Sequence, residues 1–586
     1  MEKRVLIAVL LMTAVIMGTN LLFPPAEQPA ADSARGDSAA VVAAPTPAPA
    51  PAPAVRAPAL PATAPQAPAQ PVTVRSPLYR YTFSTRGASL TSAEMLRHGS
   101  ALREGEPVDL VPQGAPDFLT YRVAMGGDTL DLRGLPFQAS ATRVELAEGG
   151  EAQQLRFTYG GGEGLGVEVV YTFRPDDYLV DVAGRVTGAG SGAVLLTGLG
   201  SGLATHEADP ERFQGDLGAI ALTPDGVENV PFQKVEGSRT LQGPLTWAAV
   251  KDKYFLAALV AGDRPAFGGM TLRRLPSARV VAGSGADADT TRIPRAQTVV
   301  SLPLGADGAF AFGAYLGPQE HGRLAAVGYN LDDVNPYGYR WLRPVVRPIA
   351  ASALWVMREL HDNLGVGYGW VLIIFGVMVK ILLWPLNAKA MRAQMKNMAV
   401  QPLIQELQTK YKGDPQKQQE EMIRLYKEHG FNPLAGCLPL LIPMPIFITL
   451  YFVFQSAIEF RGVPFWYLPD LSQRDPYYLM PLLFIGSTFL LQWISTKLSG
   501  MEANPQMKMM MYLMPIMMGA FFITLAAGLN LYYTASNLAG LPQQVLIARE
   551  RKRATEEAKA KRAAEEAAAK RASGGPPPAA RQKRRR

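Results

Sequence analysis

Lys380 is the only charged residue in the run VLIIFGVMVKILLWPL, 371–386. A run of this kind suits the interior of a bilayer, where a cation costs about 2.5–3.5 kcal/mol on insertion scales and marks a functional site by default. The chemistry open to it is electrostatic: an ammonium held at depth attracts acidic groups. A second reading stays open. Lys380 lies about six residues from the end of its apolar run, roughly 9 Å at 1.5 Å per residue, and a lysine stem can snorkel that far to the headgroups. Further polar residues interrupt the later apolar segments. They are Thr449, Gln455 and Ser456; Ser487, Thr488 and Gln492; and Asn530, Tyr532, Tyr533, Thr534, Ser536 and Asn537. In lipid such side chains face a bundle interior or a wet cavity, or act as glue between helices. The pair Tyr532-Tyr533 beside Asn537 reads as the wet, contact-making surface. Met507, Met509, Met510, Met511, Met514, Met517 and Met518 crowd one segment. Their flexible thioethers suit either an adaptable apolar surface or a lipid-facing helix.

Other chemistries find no residues to carry them. The five histidines, His98, His206, His321, His361 and His429, are scattered without metal-ligand spacing. No GxxxxGK or GxGxxG motif is present, so no nucleotide site or other cofactor is expected. A single cysteine, Cys437, excludes an intrachain disulfide and has no base beside it in sequence, which leaves it a packing role.

The elements that must position Lys380 follow from patterning. The chain has 586 residues, 48% of them hydrophobic, and a net charge of +8. Its apolar residues concentrate in segments of about 20, the length that crosses a bilayer, at 5–23, 367–386, 434–458, 477–494, 509–527 and 529–547. This predicts six transmembrane helices, five of them in a C-terminal core. Residues 1–23 read as an anchor and 24–76, rich in Pro and Ala, as an extended spacer. Residues 77–335 alternate in short runs such as YRYTFST and VEVVYTF broken by Gly, Asp and Pro, the pattern of a β-sandwich. Gly160–Gly162 precedes the alternating Val167, Val169, Tyr171 and Phe173 and reads as a hairpin turn. The core, 336–548, carries an amphipathic helix at 349–361 suited to the interface and a basic helical hairpin at 387–432 interrupted at KGDPQ. The tail, 549–586, has 14 basic and 5 acidic residues. Lysine and arginine favour the N-terminus, the hairpin and the tail, so both termini are expected in the cytoplasm and the β-domain outside. The hairpin and tail could meet phospholipid headgroups or ribosomal RNA, or present a solvated face.

NPLAGCLPLLIPMPIFITLY (432–451), LYYTASNL (531–538) followed by Gln543-Gln544, and DPYYLMPLL (475–483) resemble signatures of the YidC/Oxa/Alb family of membrane protein insertases. WAAVKDKYFLAA (247–258) resembles that family's β-domain more weakly. The resemblance implies a multi-pass α-helical inner-membrane protein with an all-β periplasmic domain, and no enzymatic reaction. It implies insertion and folding of nascent membrane proteins, with or without the Sec translocon, and ribosome contact. A hydrophilic groove would open to cytoplasm and lipid, with Lys380, Thr449, Gln455, Gln492, Asn530, Tyr532, Tyr533 and Asn537 as its candidate residues. Two departures stand out. Lys380 occupies a position where arginine is usual, which keeps the charge and loses the two-pronged hydrogen bond. Pro443 stands where a polar glutamine is frequent.

A secondary transporter using Lys380 as its ion or substrate site is the alternative. The five core segments lack the internal duplication that transporters usually show. A β-domain acting on envelope sugars above a mere anchor is a third reading, and five polar-decorated spans exceed what an anchor needs.

Overall fold

The computed structural model describes residues 68–114, 118–160, 164–282, 289–335, 337, 342–389, 403–404, 407, 409–428, 444–498 and 505–573. The anchor at 1–23, most of the Pro/Ala stretch, Cys437, Pro443 and the run 432–443, most of the first half of the 387–432 hairpin and the last residues of the tail lie outside them.

Between Pro71 and Pro318 the described strands form sheets of five, nine and six. Alternation is the cause. In Tyr79–Ser84 the side chains of Tyr79, Tyr81 and Phe83 are buried while their neighbours are half-exposed. The nine-stranded sheet makes one layer, and the other two sheets together face it. Phe83 lies 5.9 Å from Phe157, Phe267 lies 6.4 Å from Phe312, and the Tyr121 and Tyr171 hydroxyls meet at 2.8 Å. The strands Gln153–Tyr159 and Gly166–Phe173 pair as the expected hairpin, Val167 opposite Tyr159. Gly160, at a φ of 72°, starts the turn where any Cβ would meet the Leu165 carbonyl oxygen at 2.2 Å.

The spacer boundary at residue 76 is corrected. Pro71–Arg75 is a strand, paired antiparallel to Tyr79–Ser84 and parallel to Arg143–Glu145, with Val72 and Val74 fully buried. Its proline sits at the first position, where a strand tolerates one, so the Pro-rich composition upstream masks it.

The helices that follow include α1 (His321–Val327), α2 (Arg343–Leu364), α3 (Tyr368–Leu382), α4 (Pro415–Glu428), α5 (Met444–Ser456), α6 (Leu479–Leu498), α7 (Pro505–Phe522) and α8 (Ala527–Ser573). The amphipathic segment expected at 349–361 is part of a longer helix, Arg343–Leu364. Ala353 and Met357 are buried while Trp355 is 65% exposed. In the hairpin, Asp414 of KGDPQ accepts the Lys417 N–H at 3.2 Å and starts α4. No break occurs at residue 548, because α8 continues to Ser573.

Of the six expected crossings, 5–23 and the first part of 434–458 lie outside the described residues. Among the described residues no helix is long and apolar enough to cross a membrane. α3 has 15 residues, a rise of roughly 22 Å against a hydrocarbon thickness of about 30 Å. α5 is described over 13 residues, α7 carries Pro515 in its interior, and α8 turns from apolar to charged along its length.

Candidate functional site

Lys380 projects from the last turn of α3 toward α8. Two glycines let these helices approach. A Cβ on Gly376 would lie 3.1 Å from the Tyr532 carbonyl oxygen, and one on Gly540 would lie 2.7 Å from Lys380 Cε and 3.1 Å from its Nζ. Small residues at a helix crossing permit this closeness. The ammonium therefore rests on bare backbone of α8, half-buried, with Leu491 of α6 closing the same spot. Among the described residues no carboxylate pairs with it.

Polar ties surround this point. Asn537 donates from Nδ2 to Ser487 at 3.1 Å and to Thr488 at 2.9 Å, fastening α8 to α6. Gln543 donates to the Trp384 carbonyl at 3.0 Å, fastening α8 to the chain just beyond α3. Gln492 is half-buried on α6, one turn past Thr488 and so on the same side. The structure thus brings Lys380 and Asn537 of the expected set to the meeting of α3, α6 and α8, with Gln492 on the Thr488 side of α6.

It separates the others, and the wet Tyr532-Tyr533 surface is corrected. Tyr532 is 2% exposed, and its ring lies tilted against that of Phe375 at 5.8 Å. Tyr533 meets Phe447 at 5.5 Å, Phe484 at 6.3 Å and Phe522 at 5.4 Å, with its hydroxyl buried and unpartnered among the described residues. Rings of this size bury more area than their hydroxyls can hold in water. Thr449 is fully buried, and its hydroxyl donates to Pro445 one turn back. Asn530, also fully buried, donates to the Phe522 and Ala526 carbonyls and finishes the end of α7. These side chains plug the half of the bundle nearer the β-domain. Gln455 lies at that same end of α5, far from Lys380, beside a small cavity shared with Asp216 and Lys253.

The β-domain grips the outer turns of the bundle through a buried charged cluster that sequence reasoning missed. Arg461 donates from Nε to Glu207 at 2.7 Å and from Nη1 to the Gly99 carbonyl at 2.9 Å, and lies 5.5 Å from the Phe255 ring centre. Arg212 and Arg474 both donate to the Thr524 carbonyl in the turn between α7 and α8. Burial pushes Lys251 and Lys253 down to about 8 and Asp252 up to about 7. The signal was present in WAAVKDKYFLAA, where charges sit between apolar runs just as Lys380 does. Gly376 and Gly540 had no such signal, since only the partner helix gives them meaning.

Two family models match this chain. That of the 60Kd inner membrane protein covers residues 359–555, and that of the YidC periplasmic domain covers residues 71–352. The membrane protein insertase YidC of Geobacter metallireducens is 30% identical over 570 residues, 95% of this chain and 100% of that protein. That of Pelobacter propionicus is 31% identical over 566 residues, 93% of this chain and 99% of that protein.

Proposed function

The chain belongs to the YidC family of membrane protein insertases, and from that premise we propose that it inserts membrane proteins through the polar pocket around Lys380, without catalysing a reaction. In this reading the segments 5–23, 367–386, 434–458, 477–494, 509–527 and 529–547 cross the inner membrane. The lysine and arginine asymmetry supports cytoplasmic termini and a periplasmic β-domain. Helical backbone resumes at Trp384 after a single-residue turn at Leu383, which favours a longer span than α3 alone.

The single observation carrying the reading is the Lys380 ammonium against Gly540, with no carboxylate partner among the described residues. A substrate's acidic tail would enter the Lys380 end and be held there by charge. The aromatic plug of Phe447, Phe484, Phe522 and Tyr533 would stop it from passing through. The following apolar segment would then leave sideways into lipid, driven by burial of its own surface. The basic hairpin and the C-terminal half of α8 would meet the ribosome, and the Sec translocon would share some substrates.

The test is photocrosslinking of a stalled single-span nascent chain from probes at Asn537 and Gln492, with Tyr533 as the buried control. Crosslinks are expected at the first two positions, with and without the Sec translocon. Their absence, together with a fall in solute uptake on depletion, would replace the insertase by a transporter.

A further inference from the structure

Where the β-domain meets the near end of α5, a cavity of about 130 Å³ opens beside Asp216, Lys253 and Gln455. Most charged groups around it are already satisfied. Asp252 Oδ1 accepts the Tyr254 and Phe255 N–H groups at 2.8 and 2.6 Å. Lys251 donates to the Val334 carbonyl at 2.9 Å and to Asn335 at 3.1 Å.

Two groups are left over. Lys253 is 5% exposed and makes no hydrogen bond or ion pair among the described residues. It lies over the rings of Phe213, at 4.3 Å, and Tyr254, at 4.8 Å, and its strongest charge neighbour, Asp216, stands beyond ion-pair distance. Aromatic faces attract the charge but accept none of the three N–H donors of an ammonium in the way an oxygen does. A buried cation in that state calls for an anion. Asp216 borders the same cavity with Lys253, Lys251 and Arg212 as its charge neighbours but forms no ion pair within 4 Å among the described residues; its carboxylate oxygens can accept from a ligand's ammonium.

The complement to such a cavity is a molecule carrying both charges a few ångströms apart. It must be small, because drug-sized ligands need about 300–1,000 Å³. The cavity sits where segment 434–458 ends, at headgroup depth if that segment spans the membrane, and half-buried Phe452, one turn before Ser456, lines it. We propose that this junction binds the zwitterionic headgroup of a phosphatidylethanolamine-type lipid, its phosphate on Lys253 and its primary ammonium on Asp216 and the Gln455 amide oxygen. The proposal rests on the membrane-spanning reading of α5 and is independent of the Lys380 pocket. A primary ammonium can donate hydrogen bonds to both acceptors, whereas a trimethylammonium cannot. Phosphatidylcholine and phosphatidylglycerol therefore separate the two halves of the recognition.

The test uses the purified full chain, delipidated in detergent and offered palmitoyl-oleoyl phosphatidylethanolamine, phosphatidylcholine or phosphatidylglycerol at equal mole fraction. Retained lipid is read by native mass spectrometry. Phosphatidylethanolamine should be retained at least five-fold over the other two. Asp216→Asn, a near-isosteric change at an exposed position, should abolish the preference. Lys253→Gln should lower retention of all three lipids. Equal retention by the wild type, or a preference that survives Asp216→Asn, would overturn the proposal. Binding of soluble phosphoethanolamine without retention of its lipid would overturn the lipid assignment. Crosslinking at Asn537 is scored separately, so failure of the insertase reading stays distinguishable from failure of this one.

Discussion

Arg461 and Glu207 meet at 2.7 Å with only 5% and 6% of their side chains exposed, joining the loop after α5 to the β-domain. Each keeps one buried polar atom without a partner among the described residues, Arg461 Nη2 and Glu207 Oε2. The pair is therefore incompletely satisfied, and its desolvation cost is not fully offset. Arg461→Met should destabilise the protein by about 3–5 kcal/mol, because it strands a buried carboxylate. Adding Glu207→Leu should recover more than half of that loss. Thermal unfolding of the four proteins in detergent, treated as a double-mutant cycle, measures both. Additive losses would show that the two side chains do not act as a pair.

His98 gives the same junction a dependence on pH. Its ring lies edge-on to Phe255 at 5.6 Å, its Nε2 is buried without a partner among the described residues, and Arg461, Arg323 and Arg97 add positive charge nearby. Burial, aided by those arginines, pushes it from 6.5 down to about 4. Between those values the unfolded chain binds the proton and the folded one resists it. Stability from the neutral ring is thus complete above pH 6.5 and lost as pH falls toward 4. The loss is on the order of 3 kcal/mol. His98→Phe keeps the ring contact and should flatten the acid limb of a plot of melting temperature against pH. Identical plots for the two proteins would remove His98 from the account.

Tyr533 was legible in the sequence as a special residue and misread as to why. Its phenol among lipid-depth residues suggested water, but Phe447, Phe484 and Phe522 from three other helices pack against its ring. Tyr533→Phe removes a hydroxyl that has no partner among the described residues and should be neutral or slightly stabilising in melting and in insertion. Tyr533→Ala opens a cavity and should cost about 3–5 kcal/mol. A large insertion defect in the Phe variant would return the hydroxyl to the substrate path.

What sequence reading captured follows period and contrast. Strand alternation announced Tyr79, Tyr81 and Phe83, and the isolated charge announced Lys380. It could not tell which polar residues share a space, since that depends on how helices are rotated about their axes. Thr449 and Ser456 read alike in sequence, yet one is sealed inside and the other edges the junction cavity. Partnerships such as Arg461 with Glu207 span 254 residues and have no local signature.

Lys380 depends on Gly540 for its position, and this sets the last prediction. A methyl at residue 540 would lie 2.7 Å from Lys380 Cε, a clash with the far end of a flexible stem that can swing aside cheaply. Gly540→Ala should therefore change insertion by less than two-fold. Gly540→Leu fills the place of the ammonium and should push it out of the pocket. If the charge acts at that place, Gly540→Leu and Lys380→Glu should both impair substrates with acidic tails and spare those with neutral tails, while Lys380→Arg should be tolerated. Protease protection of a pair of single-span substrates that differ only in tail charge measures this in one assay. Equal loss on both substrates would mean that the leucine merely disturbs the crossing of α3 and α8. Full activity of Lys380→Glu on the acidic substrate would end the electrostatic role.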